Sequence, residues 1–196
     1  NHLPLFPQIL LITLTMESMR SMFITVGTTE FDQLVEVVDS KEFLELLRTN
    51  GYNDLRIQFG RGVYEPKVLI NSFTQGIQLE IYRFKPTLDD DMKRADLIIS
   101  HCGAGSILEA VKFEKDLVVV VNDTLQDNHQ TELADAMSSE GYCISTTPLA
   151  LLDVLRNKFN SQASFSKEKK KRITDIPITD PDHFEIALSG MYSFST

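Results

Sequence analysis

Leu97-Ile98-Ile99-Ser100-His101-Cys102-Gly103-Ala104-Gly105-Ser106-Ile107-Leu108-Glu109 decides the fold. An apolar run of strand length breaks at two closely spaced glycines, and a helical pattern at 105–112 follows. Strand, glycine turn and helix in that order make the unit of a parallel α/β sheet. The same alternation continues downstream, with a strand at 117–121, a helix at 128–140, a strand at 142–145 and a last helical segment at 149–159. Leu117-Val118-Val119-Val120-Val121 is unbroken rather than alternating, as expected of a central strand covered on both faces.

Working upstream, a helix is expected at 88–95 and a first strand at 22–26, ending in Gly27-Thr28-Thr29. Phe31, Leu34, Val35 and Val38 then fall at helical spacing. Asp39 with Glu42 resembles a capping box that starts a helix over Lys41–Thr49, closed by Asn50-Gly51. A strand at 55–59 runs into Gly60-Arg61-Gly62, Val68–Asn71 reads as an edge strand, and 77–83 is a further strand of alternating character. The fold class is α/β, Rossmann-like, a mostly parallel sheet with helices on both faces, carried by a domain at 22–160. Residues 1–21 read as a poorly ordered N-terminal extension and 161–196 as a basic, loosely ordered tail.

Composition narrows the function classes. With 196 residues the chain builds one sizeable core, and 42% apolar against 24% charged residues excludes collagen-like and wholly disordered classes. A net charge of -9 argues against a broad electrostatic grip on nucleic acid, so an anion must be held by a local device. Two cysteines, Cys102 and Cys143, cannot form a disulfide framework or a four-ligand zinc site, which fits the cytosol. The apolar run at 3–14 is too short to span a bilayer. The basic run at 167–172 reads as a solvated helix end.

In a parallel α/β sheet, ligands bind beyond the carboxyl ends of the strands. Three such loops matter. Around Gly103, Ala104, Gly105 and Ser106, small residues let backbone N–H groups approach an anion, and the helix dipole adds about half a positive charge. A diphosphate fits this device, and Glu109, one turn on, suits ribose hydroxyls; equally, Ser106 with Glu109 matches a capping box. The pattern is neither G-x-G-x-x-G nor Walker A. The second loop, 122–130, is dense in amide and imidazole groups, which suits a sugar. Asp127 with Gln130 is again a capping alternative. Gly27, Thr28 and Thr29 form the third, where a threonine cap competes with phosphate binding. Gly60-Arg61-Gly62 reads as a surface turn. Asp89-Asp90-Asp91 opens a helix, where the dipole favours carboxylates, and no metal site is assigned. His101 beside Cys102 has no third group to support a thiol nucleophile.

Taken in order, residues 22–29, Ile57-Gln58-Phe59-Gly60-Arg61-Gly62, His101-Cys102-Gly103-Ala104-Gly105-Ser106 and Asn128-His129-Gln130 resemble the catalytic subunits of the two-chain UDP-N-acetylglucosamine transferases of the dolichol pathway. These are similar to the C-terminal, donor-binding half of GT-B glycosyltransferases of family 28. The resemblance covers about residues 22–155. It implies inverting transfer of GlcNAc from UDP-GlcNAc to GlcNAc-diphosphodolichol on the cytosolic face of the endoplasmic reticulum. It also implies a membrane-anchored, acceptor-binding partner subunit, and no cofactor beyond the donor itself. By position, Gly103, Ala104, Gly105 and Ser106 would hold the diphosphate, Glu109 the ribose, and Asn128, His129 and Gln130 the GlcNAc. Gly27, Thr28 and Thr29 would close over the diphosphate, and Phe84 and Lys85 would meet the uracil. His101 counts among the donor contacts, and His101 and His129 are candidates for the general base. Cys102 departs from the alanine that relatives often carry. The helical segment at 149–158 is the expected docking element for the partner, or else an ordinary closing helix. A non-catalytic UDP-sugar-binding subunit is the competing function; an epimerase-like enzyme would need both halves of its cleft in one chain.

Overall fold

The computed structural model describes residues 20–71, 76–122 and 128–161, and for 128 and 129 the backbone alone. Residues 1–19, 162–196 and most of the 122–130 loop lie outside them; Arg20 and Ser21, read as the end of the N-terminal extension, belong to the first strand, and Ser161, read as the start of the tail, ends a helix.

Among the described residues six strands form one all-parallel sheet: β1 (Arg20–Thr25), β2 (Tyr52–Gln58), β3 (Gln78–Tyr82), β4 (Leu97–His101), β5 (Asp116–Val120) and β6 (Ile144–Thr146), in the order β3-β2-β1-β4-β5-β6. The chain first walks outward from β1 to β3, then returns to lay β4 on the free side of β1. Strand order therefore reverses between β1 and β4. Loops leaving these two strands diverge to opposite faces and open a crevice at their carboxyl ends.

Helices cover both faces: α1 (Asp32–Val38), α2 (Lys41–Thr49), α3 (Val68–Asn71), α4 (Asp89–Arg94), α5 (Ala104–Lys112), α6 (Asn128–Ser139) and α7 (Leu151–Ser161). In β1, Met22 and Ile24 join Leu34, Val35, Phe43, Leu47, Leu151 and Leu155 in one core, while Phe23 joins Met92, Ile107, Ala110 and Ala134 in the other. β5 divides likewise, Val118 and Val120 against Leu117 and Val119, with Val121 just beyond it joining the latter. This two-sided burial explains why the central strands are unbroken apolar runs.

Local readings hold with three corrections. Val68–Asn71 is a helical turn and not an edge strand. The buried Asp39 carboxylate accepts from the backbone N–H groups of Lys67, Val68 and Leu69 and from the Tyr64 hydroxyl, so it nucleates that turn. Three orphan N–H groups satisfied by one carboxylate outweigh the β-branched bias of the segment. Asp39 consequently caps no box with Glu42: the N-cap of α2 is Ser40, whose Oγ accepts from Phe43 at 3.1 Å. Nor does Ser106 form a capping box with Glu109, because the N-cap of α5 is Gly103 and Ser106 lies inside the first turn.

Helix α7 spends its apolar stripe on the core. Leu151, Leu155 and Phe159 are buried, and Phe159 packs its ring 5.4 Å from that of Tyr52. On its outer side, Arg156 pairs with Glu42 and Asp153, and Leu149 just ahead of it is 91% exposed. The apolar stripe of Leu151–Ser161 thus closes the core on this face.

Candidate functional site

His101 is the last residue of β4, and its ring fills the mouth of the crevice. The Nε2–Cε1 edge lies between the α-carbons of Gly27 and Gly103, so that a Cβ on either glycine would stand under 3.0 Å from it. Gly27 also takes φ +63, a left-handed conformation that favours glycine. Gly103 has φ -104, so only the ring, not the backbone, demands a glycine there. Burial holds the imidazole below the ordinary histidine range, opposed by the Thr25 backbone. Its Nδ1 is buried with no hydrogen bond of normal geometry among the described residues. The ring is therefore a neutral wedge between the β1 and β4 loops at pH 7.

Behind that wedge, α5 starts without a side-chain cap among the described residues. Gly105 lies in the first turn, exposed, and no described atom stands within 4 Å of where its Cβ would be. The positive end of the helix dipole lies at this turn, beside the open position next to Gly105. Glu109 is exposed on the same helix. Helix α1 also begins without a side-chain cap, so neither Thr28 nor Thr29 is spent on one. Thr29 instead turns its hydroxyl proton back to the Val26 carbonyl at 2.8 Å, whereas Thr28 is exposed.

The structure brings the start of α6 to the same place. Cys102 Sγ donates to the Gln130 carbonyl at 3.0 Å, tying the β4–α5 turn to the first turn of α6, where Asn128, His129 and Gln130 lie. Burial pushes the Cys102 thiol up to about 12, so it stays a protonated donor. Residues 123–127, and with them the Asp127–Gln130 capping alternative, fall outside the described residues.

Phe84 and Lys85 follow β3 on the same rim of the sheet. Phe84 is 50% exposed. Lys85 is tied down: its Nζ reaches Asp91 at 2.8 Å and Glu80 at 2.7 Å and stands 4.0 Å over the Tyr82 ring. Burial works against the ammonium, but the two carboxylates prevail and raise its pKa above the usual lysine value. The buried Asp91 also receives the Tyr82 hydroxyl at 2.5 Å and lies 3.4 Å from Arg56, itself buried and paired with Asp54. Asp91 is therefore an anchor under the 83–88 segment and more than an acidic first-turn residue.

Gly60-Arg61-Gly62 braces the β1 loop. Arg61 N–H donates to the Thr29 carbonyl at 3.0 Å, and Asp32 accepts from the N–H groups of Val63 and Tyr64. Sequence reasoning missed Thr25, Gln58 and Arg56, buried polar residues at the carboxyl end of β1 and along β2. Their signal was present: polar residues at 54, 56 and 58 alternate within a strand covered on both faces.

Comparison with known proteins agrees with this geometry. Residues 21–177 match the glycosyltransferase family 28 C-terminal domain. The chain is 44% identical over 145 residues to the UDP-N-acetylglucosamine transferase subunit ALG13 of Mus musculus, 70% of this chain but 12% of that protein. It thus spans about an eighth of the length of that relative. Against the subunit of the same name from Candida glabrata it is 32% identical over 162 residues, 67% of this chain and 82% of that one. An NMR solution structure of ALG13 superposes with a TM-score of 0.58 at 27% identity, covering 89% of this chain and 98% of that one. The crystal structure of Acinetobacter baumannii MurG shares the fold, with a TM-score of 0.56 at 16% identity over 77% of this chain and 43% of MurG. The chain belongs to the glycosyltransferase family 28 C-terminal domain family.

Proposed function

We propose that this chain is the donor-binding, catalytic subunit of an inverting N-acetylglucosaminyltransferase that moves GlcNAc from UDP-GlcNAc to GlcNAc-diphosphodolichol. One observation carries the reading: among the described residues α5 starts without a side-chain cap at the point where strand order reverses, beside Gly27, His101 and Gly103. A helix start of this kind suits an anion, which supports placing the diphosphate here. The relatives are UDP-N-acetylglucosamine transferase subunits, which supports this donor.

In this reading the diphosphate lies on residues 103–106, and Gly27, Thr28 and Thr29 close over it from β1. Phe84 offers its exposed ring to the uracil, and Lys85, held by Asp91 and Glu80, fixes the backbone of that segment. Glu109 accepts from the ribose, and Asn128, His129 and Gln130 meet the GlcNAc.

The acceptor hydroxyl attacks C1 of the sugar from the face opposite UDP. The bond from C1 to the phosphate oxygen breaks, and UDP leaves with the electron pair. The helix N-terminus stabilises the growing charge, and because it is already oriented it needs no reorganisation as the charge develops. His101, wedged between two glycines, belongs to the wall of the donor site. His101, His129 and the partner subunit are the sources considered for the base that takes the hydroxyl proton.

The crevice is one side of a cleft, so the lipid-linked acceptor is assigned to a membrane-anchored partner that recruits this chain to the cytosolic face of the endoplasmic reticulum. No cofactor or metal is assigned. The test is transfer of labelled GlcNAc from UDP-GlcNAc to a GlcNAc-diphospho-lipid, with and without the membrane partner. Product only in the mixture is expected. Donor binding with no product in either case would favour a non-catalytic UDP-sugar-binding module.

A further inference from the structure

We infer that Gln58, with Thr25, is a positioning residue that locks the base-side and diphosphate-side loops of the site into one unit. The inference rests on the donor reading above and assigns a role to side chains that touch no donor group. Gln58 ends β2 and is buried at 2% exposure, and Thr25 ends β1 at 0%. The Thr25 hydroxyl donates to Gln58 Oε1. Gln58 Nε2 donates to two carbonyls, that of Gly27 and that of Arg83, the latter at 2.9 Å. Thr25 Oγ1 in turn accepts from the Gly27 N–H at 3.0 Å.

The geometry has two consequences. Gly27 is gripped through both its N–H and its carbonyl, which fixes the left-handed turn against which the His101 ring packs. Arg83 immediately precedes Phe84, so one side-chain amide joins the backbone before the uracil segment to the backbone of the diphosphate loop. A buried amide with both its protons committed is a rigid spacer. It sets the separation between the two places where a nucleoside diphosphate would be held at its opposite ends.

A ligand that bridges both ends must feel this spacer more than a ligand that uses one. Binding of UDP and of uridine is measured by calorimetry on the full chain for Gln58→Met, Thr25→Val and Thr25→Ser, with folding checked by circular dichroism. Hydrogen exchange at Gly27 and Phe84 is followed in the absence of ligand. Gln58→Met and Thr25→Val are expected to weaken UDP about tenfold and uridine by much less, the loss of roughly one buried hydrogen bond. Thr25→Ser, which keeps the hydroxyl, restores affinity to within about threefold of the starting protein. Both damaged variants speed exchange at Gly27 and Phe84 together while leaving the second turn of α5 unchanged. A folded Gln58→Met chain with unchanged UDP affinity, or with exchange raised at one segment only, overturns the inference. If the unaltered chain binds no UDP, the donor reading fails instead, and the exchange result alone decides the coupling.

Discussion

The Nε2–Cε1 edge of His101 occupies the space where Gly103 would carry a Cβ. Since the Gly103 backbone is compatible with other residues, it is the His101 ring that excludes a side chain there in the free protein. Gly103→Ala is therefore expected to cost about 2 kcal/mol in the native background, the usual price of overpacking, and much less when His101 is also alanine. Urea unfolding of the two single variants and the double variant measures this; coupling below about 0.5 kcal/mol would remove the wedge.

Gly105 invites the opposite experiment. An added methyl meets no described atom, and alanine favours a helix by up to about 1 kcal/mol over glycine. Gly105→Ala should leave the unfolding midpoint unchanged or higher while UDP binding falls at least about tenfold, because the methyl stands where a phosphate oxygen must approach. Equal affinity in a folded variant would move the diphosphate away from α5.

Acid should act on His101 through linkage. Its folded pKa lies below the unfolded value, so above the unfolded value both states hold a neutral ring and the group contributes no pH dependence. As pH falls below that value the unfolded chain takes up the proton first, and stability drops until the folded ring also titrates. Comparing urea midpoints at neutral and mildly acidic pH, His101→Gln should show a smaller acid loss than the parent chain. An identical loss would mean that the ring is not desolvated.

The buried charge network makes a stability prediction far from chemistry. Asp91→Ala leaves Arg56 and Lys85 without their shared carboxylate, and about 3 kcal/mol of destabilisation is expected from thermal or urea unfolding. A loss under about 1 kcal/mol would show that Asp54 and Glu80 neutralise both cations unaided.

Thiol chemistry offers a simple check on the inner loop. Burial pushes Cys102 to about 12 and Cys143 to about 11, so neither should react with iodoacetamide at neutral pH until the chain unfolds. Cys102→Ser keeps a donor for the Gln130 carbonyl and Cys102→Ala does not; the alanine variant should show the higher KM for UDP-GlcNAc.

The sheet was legible because its signals are local. The run at 117–121 is apolar at every position, those at 22–26 and 97–100 are apolar except for Thr25 and Ser100, and a glycine turn follows the first two. The same runs placed the switch-point loops, and with them Gly27, His101 and Gly103. What stayed hidden depends on contacts far apart in sequence. Asp39 looked like the start of its own helix, yet its carboxylate serves residues about thirty positions ahead and turns Val68–Asn71 into a helix. Lys85 looked free to meet a base, and only the fold reveals the carboxylates that hold it. Gln58 sat inside a recognised motif, but its meaning appears only once Thr25, Gly27 and Arg83 surround it.

The return of α7 to the first face bears on synthesis. Leu151, Leu155 and Phe159 complete a core begun by Met22, Ile24 and Tyr52, and Arg156 reaches back to Glu42, 114 positions earlier. A nascent chain that has emerged as far as β6 still carries an open apolar groove over β1 and β2. Such long-range closure is slow and leaves surface exposed to chaperones and to other chains. Formation of α7 is thus the step at which the ribosome-bound chain covers this groove, and a stop codon ahead of residue 151 would give an aggregating product even though every proposed donor contact had already been translated.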